Sequence, residues 1–192
     1  MSHISAAVEY ALHTLIYLVD LPSDAPAPSS RDLAILRGLP AKFVAGVMTK
    51  LSRAGIVVAT QGVDGGIRLA RDAGEISFLD VVFAVDGRKP IFECRNVRRT
   101  CALFGEAPPT WATSGTCGIH AVMLEADARM KDVLRARTLR DMADLSVLRV
   151  PSEFRAETRA WLVDRAAARK RKATRSKDSM NADTMETHTC QS

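Results

Sequence analysis

Three cysteines, Cys94, Cys101 and Cys117, fall within 24 residues of this chain, and a fourth, Cys190, lies near its end. In a cytosolic chain, clustered cysteines point to metal binding or redox chemistry more than to structural disulfides. Arg95, Arg98 and Arg99 stand beside Cys94 and Cys101. Cationic neighbours lower a thiol's pKa, which suits either metal ligation or thiol sensing. Two further groups could join such chemistry. In "VEYALH" (8–13), Glu9 and His13 sit four residues apart, on one face of any helix formed there. In "CGIH", His120 follows Cys117 by three. The alternatives are plain: Glu9 and His13 as an exposed helix pair contributing roughly 0.2–0.5 kcal/mol, His120 as a solvated or capping residue, and inert or merely oxidisable thiols. His188 and Cys190, in a polar tail, are read as incidental.

The elements that must position these groups follow from apolar spacing. Residues 4–21 form a first helix, ended by Pro22 and the loop "PSDAPAPSS". Ser29 or Ser30 caps a short helix through Leu36, and "RGLP" turns into a helix over 40–54 with Pro40 at its first position. There Phe43, Val44, Val47, Met48 and Leu51 keep the three-and-four period of a half-buried helix. "IVVATQGVDGGIRLA" reads as a hairpin around a Gly-rich turn. Residues 77–86 make another short helix, whose Ser77–Asp80 capping box is imperfect because Glu or Gln is preferred at the second position. A cysteine-bearing loop spans about 88–117. Helices are expected from 118 to about 134, over 138–145, and over 152–170; beyond 172 the polar composition predicts disorder.

Helix, short helix, turn, helix, hairpin is the order of a winged helix-turn-helix, in which the helix after the turn enters the major groove and the hairpin lies along the backbone or minor groove. Ser30, Lys42, Thr49, Lys50 and Arg53 from the helices, and Thr60, Gln61 and Arg68 from the wing, are the candidate DNA contacts. Gly62, Gly65 and Gly66 would let the backbone turn tightly and approach phosphates. Residues 29–71 carry seven cations against Asp32 and Asp64, a local excess suited to nucleic acid. The overall charge of +5 is less informative. "RAAARKRKATRSK" (165–177) holds seven cations and no acid, so the remainder is at −2.

"LPAKFVAGVMTKLSRAGIVVATQGVDGGIRLAR" (39–71), followed by "ISFLDVVFAVDG" (76–87), resembles the Rrf-type family of iron–sulfur and redox-sensing winged-helix regulators that includes IscR and NsrR. The resemblance covers most of 4–148 and implies a mainly α fold with a small β-wing and a long dimerisation helix from 118 onward. It implies a homodimeric regulator of transcription that binds a double-stranded operator. It also implies an iron–sulfur cluster, with two iron and two sulfide favoured, since soft thiolates match iron. Two ligand sets follow from the likeness: Cys94, Cys101 and Cys117 completed by His120, or Cys94 and Cys117 completed by Glu9 and His13 of the partner subunit. Gln61 stands where the family's wing usually has arginine, and Ile67 where an aromatic is common, so operator preference is expected to differ. Fifteen residues separate Cys101 from Cys117, against five or six in the family, which weakens Cys101 as a ligand.

The expected division is a winged domain over 1–87, a cluster loop over 88–117, a dimerisation helix and C-terminal helices over 118–164, and a basic tail over 165–192, adding salt-sensitive phosphate attraction. The apolar run at 4–21 is interrupted by Glu9, His13 and Asp20, so no membrane span is expected, and no secretory leader is visible, which makes the cytoplasm the expected compartment. A thiol–histidine enzyme is not expected, for want of a third activating group. A cluster-free regulator working through thiol oxidation or a partner is the competing reading.

Overall fold

The computed structural model describes residues 4–60, 65–105 and 107–187, with side chains through 172. Helix α1, Ala6–Val19, buries Val8, Ala11, Thr14, Leu15 and Leu18, one stripe at helical spacing. The buried Thr14 hydroxyl donates to the Tyr10 carbonyl at 2.6 Å, so burial leaves it satisfied. Ser29 caps α2, Ser30–Arg37, and Gly38 ends it at φ 65°, a conformation that suits glycine. Pro40 is the cap residue of α3, Ala41–Arg53, one position before the expected first turn. Strands β1, Val57–Thr60, and β2, Gly66–Leu69, pair antiparallel with Val57 opposite Leu69 and Thr60 opposite Gly66. The tip of this wing, including Gln61 and Gly62, lies outside the described residues.

Helix α4, Phe78–Asp86, packs on α1 and α3. Its carboxy-terminal Asp86 accepts the Ser5 amide at 2.8 Å and the Ser5 hydroxyl at 2.5 Å, tying the start of α1 to the end of α4. Asp80 closes a complete capping box with Ser77, so the shorter side chain suffices where glutamate was preferred. Ser29–Asp32 and Thr138–Asp141 form the same box on α2 and on α7, Leu139–Arg149. Each such cap contributes about 1 kcal/mol. Between α4 and α7 come the short α5, Thr110–Thr113, and the long α6, Gly118–Arg135. A bridge between Ser77 and Thr138 returns the chain to the body. Leu15, Leu33, Leu51, Ile56, Ile76, Val81 and Leu139 form one core.

Helix α6 buries no residue, and Ile119, Val122, Met123, Leu124 and Val133 face solvent. One finding departs from the sequence expectation: α8 is one helix from Ser152 to Thr187, continuous through the segment where disorder was expected. Alanine, arginine and lysine are strong helix formers, and "RAAARKRKA" propagates a helix nucleated by packing upstream. Leu162 (1% exposed) and Ala166 are buried, and Leu162 belongs to the main core. One and two turns beyond Leu162, Arg165 Nε donates to Asp32 Oδ1 at 3.2 Å and Arg169 Nη1 to Asp32 Oδ2.

Asp32 is only 5% exposed. Burial pushes its carboxyl pKa up, but the Ser29 amide and hydroxyl, Arg165 and Arg169 outweigh that and hold it below the usual value. A depressed folded-state pKa stabilises the fold above the unfolded value of about 3.9, and that stabilisation is lost as pH falls through the folded value. Denaturant titration should therefore show Asp32→Asn less stable by about 1–2 kcal/mol at pH 7, with a shallower loss of stability than the parent between roughly pH 5 and 2.

Candidate nucleic-acid interface and cysteine loop

The exposed side of α3 carries Lys42, Ala45, Gly46, Thr49 and Arg53. Val44, Val47, Met48 and Leu51 pin the opposite side in the core, which fixes the direction in which the exposed residues point. Lys42 and Arg53 make no hydrogen bond or ion pair among the described residues and are free to meet phosphate. The Thr49 hydroxyl donates to the Ala45 carbonyl at 2.9 Å, a bond within the helix that leaves its methyl outward. Lys50 does otherwise: Nζ donates to the Val85 carbonyl at 2.7 Å, in the last turn of α4. A cation there meets the negative end of the helix dipole. Ser30, in the first turn of α2, is half-buried, and Arg31 beside it is exposed.

In the wing, Gly66 serves packing. A Cβ on Gly66 would lie 2.3 Å from the Ala27 carbonyl oxygen, so only glycine fits where β2 crosses the 25–28 loop. Next to it the Ile67 amide donates to Pro28 O at 2.8 Å. Arg68 donates to Pro22 O at 2.9 Å and to Ala25 O, which turns this candidate DNA contact into a strut under the loop. The Thr60 hydroxyl accepts the Gly66 amide at 3.2 Å. Gly65 is buried, and its carbonyl accepts Arg169 Nη2 at 2.8 Å; the same nitrogen donates to Ala27 O at 2.9 Å. Of the supposed basic tail, Arg169 is thus spent on the root of the wing and on α2, and Arg165 on α2. Their sequence signal is the small-residue face Leu162–Ala166 beside an i, i+4 arginine pair, which composition alone read as a solvated run.

In the loop before α6, Cys94 and Cys101 are exposed and Cys117 is half-buried; all three are free thiols. The Asn96 amide donates to Cys94 Sγ at 3.4 Å. Cys117 is the cap residue of α6, and the nearby backbone amides of His120 and Ile119 lower its thiol pKa, with a smaller contribution from the Arg98 charge. Arg98 donates through Nη2 to Gly115 O, while its buried Nε has no partner among the described residues. The His120 ring lies against Phe92, centroids 6.0 Å apart. Glu9 and His13 project from the exposed side of α1. Among the described residues of one protomer, no three His, Cys, Asp or Glu side chains gather as a metal site.

Residues 4–145 match the model of a family described as Rrf2, iron-dependent transcriptional regulator. The chain belongs to the Rrf2 family. Its members bind DNA and regulate transcription; they are not enzymes. A Mycobacterium tuberculosis (strain H37Rv) protein named as an HTH-type transcriptional regulator is 30% identical over 139 residues, 72% of this chain and 80% of its own. An Aquifex aeolicus protein of the same designation is 26% identical over 141 residues, 73% of this chain and 91% of its own. Among solved structures, Bacillus subtilis CymR, a global cysteine regulator, superposes with a TM-score of 0.55 at 21% identity, covering 76% of this chain and 98% of that one. The IscR of T. potens gives 0.56 at 18%, covering 79% and 93%. At these identities the likeness establishes the winged-helix fold.

This Rrf2 chain departs from the matched region at its end, since α8 begins at Ser152, beyond residue 145. Among the described residues no helix is long and apolar enough to cross a membrane. The division of labour among its cations is measurable. Lys42→Ala and Arg53→Ala should each reduce the salt dependence of DNA binding by about one counterion. Lys50→Met should leave that slope unchanged while costing about 1 kcal/mol of stability; filter binding across a salt series and urea melts check both.

Proposed function

We propose that this Rrf2 protein is a homodimeric transcriptional regulator whose operator affinity depends on an iron–sulfur cluster shared between protomers. Cys94 and Cys117 of one protomer and Glu9 and His13 of the other would hold it. The observation that carries this reading is the placing of Cys117: it caps the start of α6, where its pKa is lowered, and the Arg98 charge bears on it while Arg98 Nε is buried without an acceptor among the described residues. An anionic thiolate–iron group suits that donor. The donor set fits a shared centre better than a private one, because among the described residues of one protomer no three such donors gather. His120, packed against Phe92, is better read as a ring contact than as a ligand.

The second support is the bare apolar side of α6. Ile119 is 67% exposed, and Val122 and Val133 nearly as much. Exposed apolar surface of this extent on an 18-residue helix is what a dimer interface covers. The cluster, when bound, supplies a centre whose charge changes with oxidation state and loss of iron. The chain's own residues do the rest. Cys117 couples the centre to α6, Glu9 and His13 couple it to α1, and α1 packs directly on α3. Two α3 helices reading half-sites one helical turn apart (about 34 Å) tolerate little rotation about that seam. Exposed Lys42, Arg53 and Arg31 supply phosphate attraction, and Ala45, Gly46 and Thr49 let the helix approach base edges closely.

Complementation between two defective protomers tests the shared site directly. Dimers formed from one His13→Ala and one Cys117→Ser protomer, purified without oxygen by two tags, should hold about half the parent's iron and sulfide, because one of the two sites has all its donors intact. His120→Ala homodimers should keep full iron. A mixed dimer without iron, beside a brown parent, contradicts sharing; a colourless parent that still binds DNA favours the thiol-based alternative.

A further inference from the structure

Between α1, α7 and α8 lies a cleft of about 360 Å³, with His13 of α1 among the residues that line it. It is absent from any chain that stops at the matched region, because α8 forms one wall. Ile16, Tyr17, Val147, Val150, Phe154 and Leu162 make its apolar lining, and Leu162 reaches the main core. Three guanidinium groups from two elements enter it: Arg37 from the end of α2, and Arg155 and Arg159 from α8. None of the three is in an ion pair among the described residues. The acid in the lining, Asp20, is occupied by Arg140 at 2.9 Å. Glu153, which feels Arg155, takes its hydrogen bond from Ser152.

Arg37 is held in place and yet incomplete. Nη2 donates to the His13 carbonyl at 2.9 Å, and the guanidinium lies 4.6 Å from the centre of the Tyr17 ring. Its Nε is buried without a hydrogen-bond partner. Leaving a buried charged donor unmet costs free energy, so the site is short of an acceptor. The volume falls in the range of small-molecule sites, which are apolar with a few placed polar groups.

We infer that this cleft binds a small organic carboxylate with an apolar body, and that its occupation is felt at the wing. The planar forks of Arg37 and Arg159 suit a carboxylate, and the apolar lining disfavours a fully hydrated inorganic anion. The same helix that carries Arg155, Thr158 and Arg159 to the cleft carries Arg165 and Arg169 to Asp32, Ala27 O and Gly65 O. A ligand that repositions α8 thereby bears on the wing root and on α2. The inference needs neither the cysteines nor a second protomer, and it meets the iron reading only at His13, which lines the cleft and whose carbonyl accepts from Arg37.

Benzoate and octanoate serve as probes, with benzamide and inorganic phosphate as controls, titrated calorimetrically into the full-length protein. Benzoate or octanoate should bind saturably at millimolar concentration or below, and both controls should fail. Arg159→Ala, whose side chain is exposed and unpaired, should weaken binding about tenfold, as should Arg37→Met, which keeps the aliphatic stem. The bound acid should shift affinity for the DNA upstream of the protein's own gene by about fivefold in the parent, and not in Arg159→Ala. Failure of both acids to bind, equal binding of benzamide, undiminished binding by folded Arg159→Ala, or binding without any change in DNA affinity would each overturn the inference.

Discussion

Asp32 is where this molecule is held together. One carboxylate, almost wholly shielded from water, closes the cap of α2 and receives two guanidiniums from a helix more than a hundred residues away. A buried charge is tolerable only when paired and hydrogen-bonded, and Asp32 is both. Arg165 and Arg169 stay about a third exposed, which softens the electrostatic gain but also lowers their own cost of burial. Because Arg169 divides its donors among Asp32, Ala27 O and Gly65 O, α2, the loop before it and the wing share one anchor.

That anchor changes the meaning of the chain's basic charge. Arg68 props the 22–25 loop, Lys50 closes α4, and Arg165 and Arg169 fasten α8. Positive charge is abundant, yet much of it is structural, and phosphate attraction falls to a smaller set around α3 and the first turn of α2. Fewer unpaired cations are therefore left for phosphate than the isoelectric point of about 9.3 suggests.

The order of elements was legible because each has a strong local signal: apolar period three-and-four in α1 and α3, a β-branched run before glycines in the wing, and Ser or Thr three residues ahead of Asp at three helix starts. Long-range partnerships were not. Nothing local says that Gly66 is small because Ala27 lies against it, or that Arg68 and Lys50 turn inward to carbonyls. Composition also misled about the last helix, where a cationic, alanine-rich run reads as solvated tail but follows a buried Leu162 and Ala166. The cysteines were visible as a cluster, whereas the lowered pKa of Cys117 depends on its position at a helix start, which only the fold provides. Gln61, Gly62, His188 and Cys190 fall outside the described residues.

The anchor fastens α8 to α2 and the wing, whereas α6 leaves its apolar residues exposed. Hydrogen exchange on the full-length protein tests the anchor most directly. In an Arg165→Ala, Arg169→Ala double variant, the amides of 57–60 and 65–69, Ile67 above all, should exchange about tenfold faster or more, while those of α1 and α7 keep the parent's protection. Unchanged protection across the wing would contradict the account, since it would mean that α8 rests on the wing without holding it.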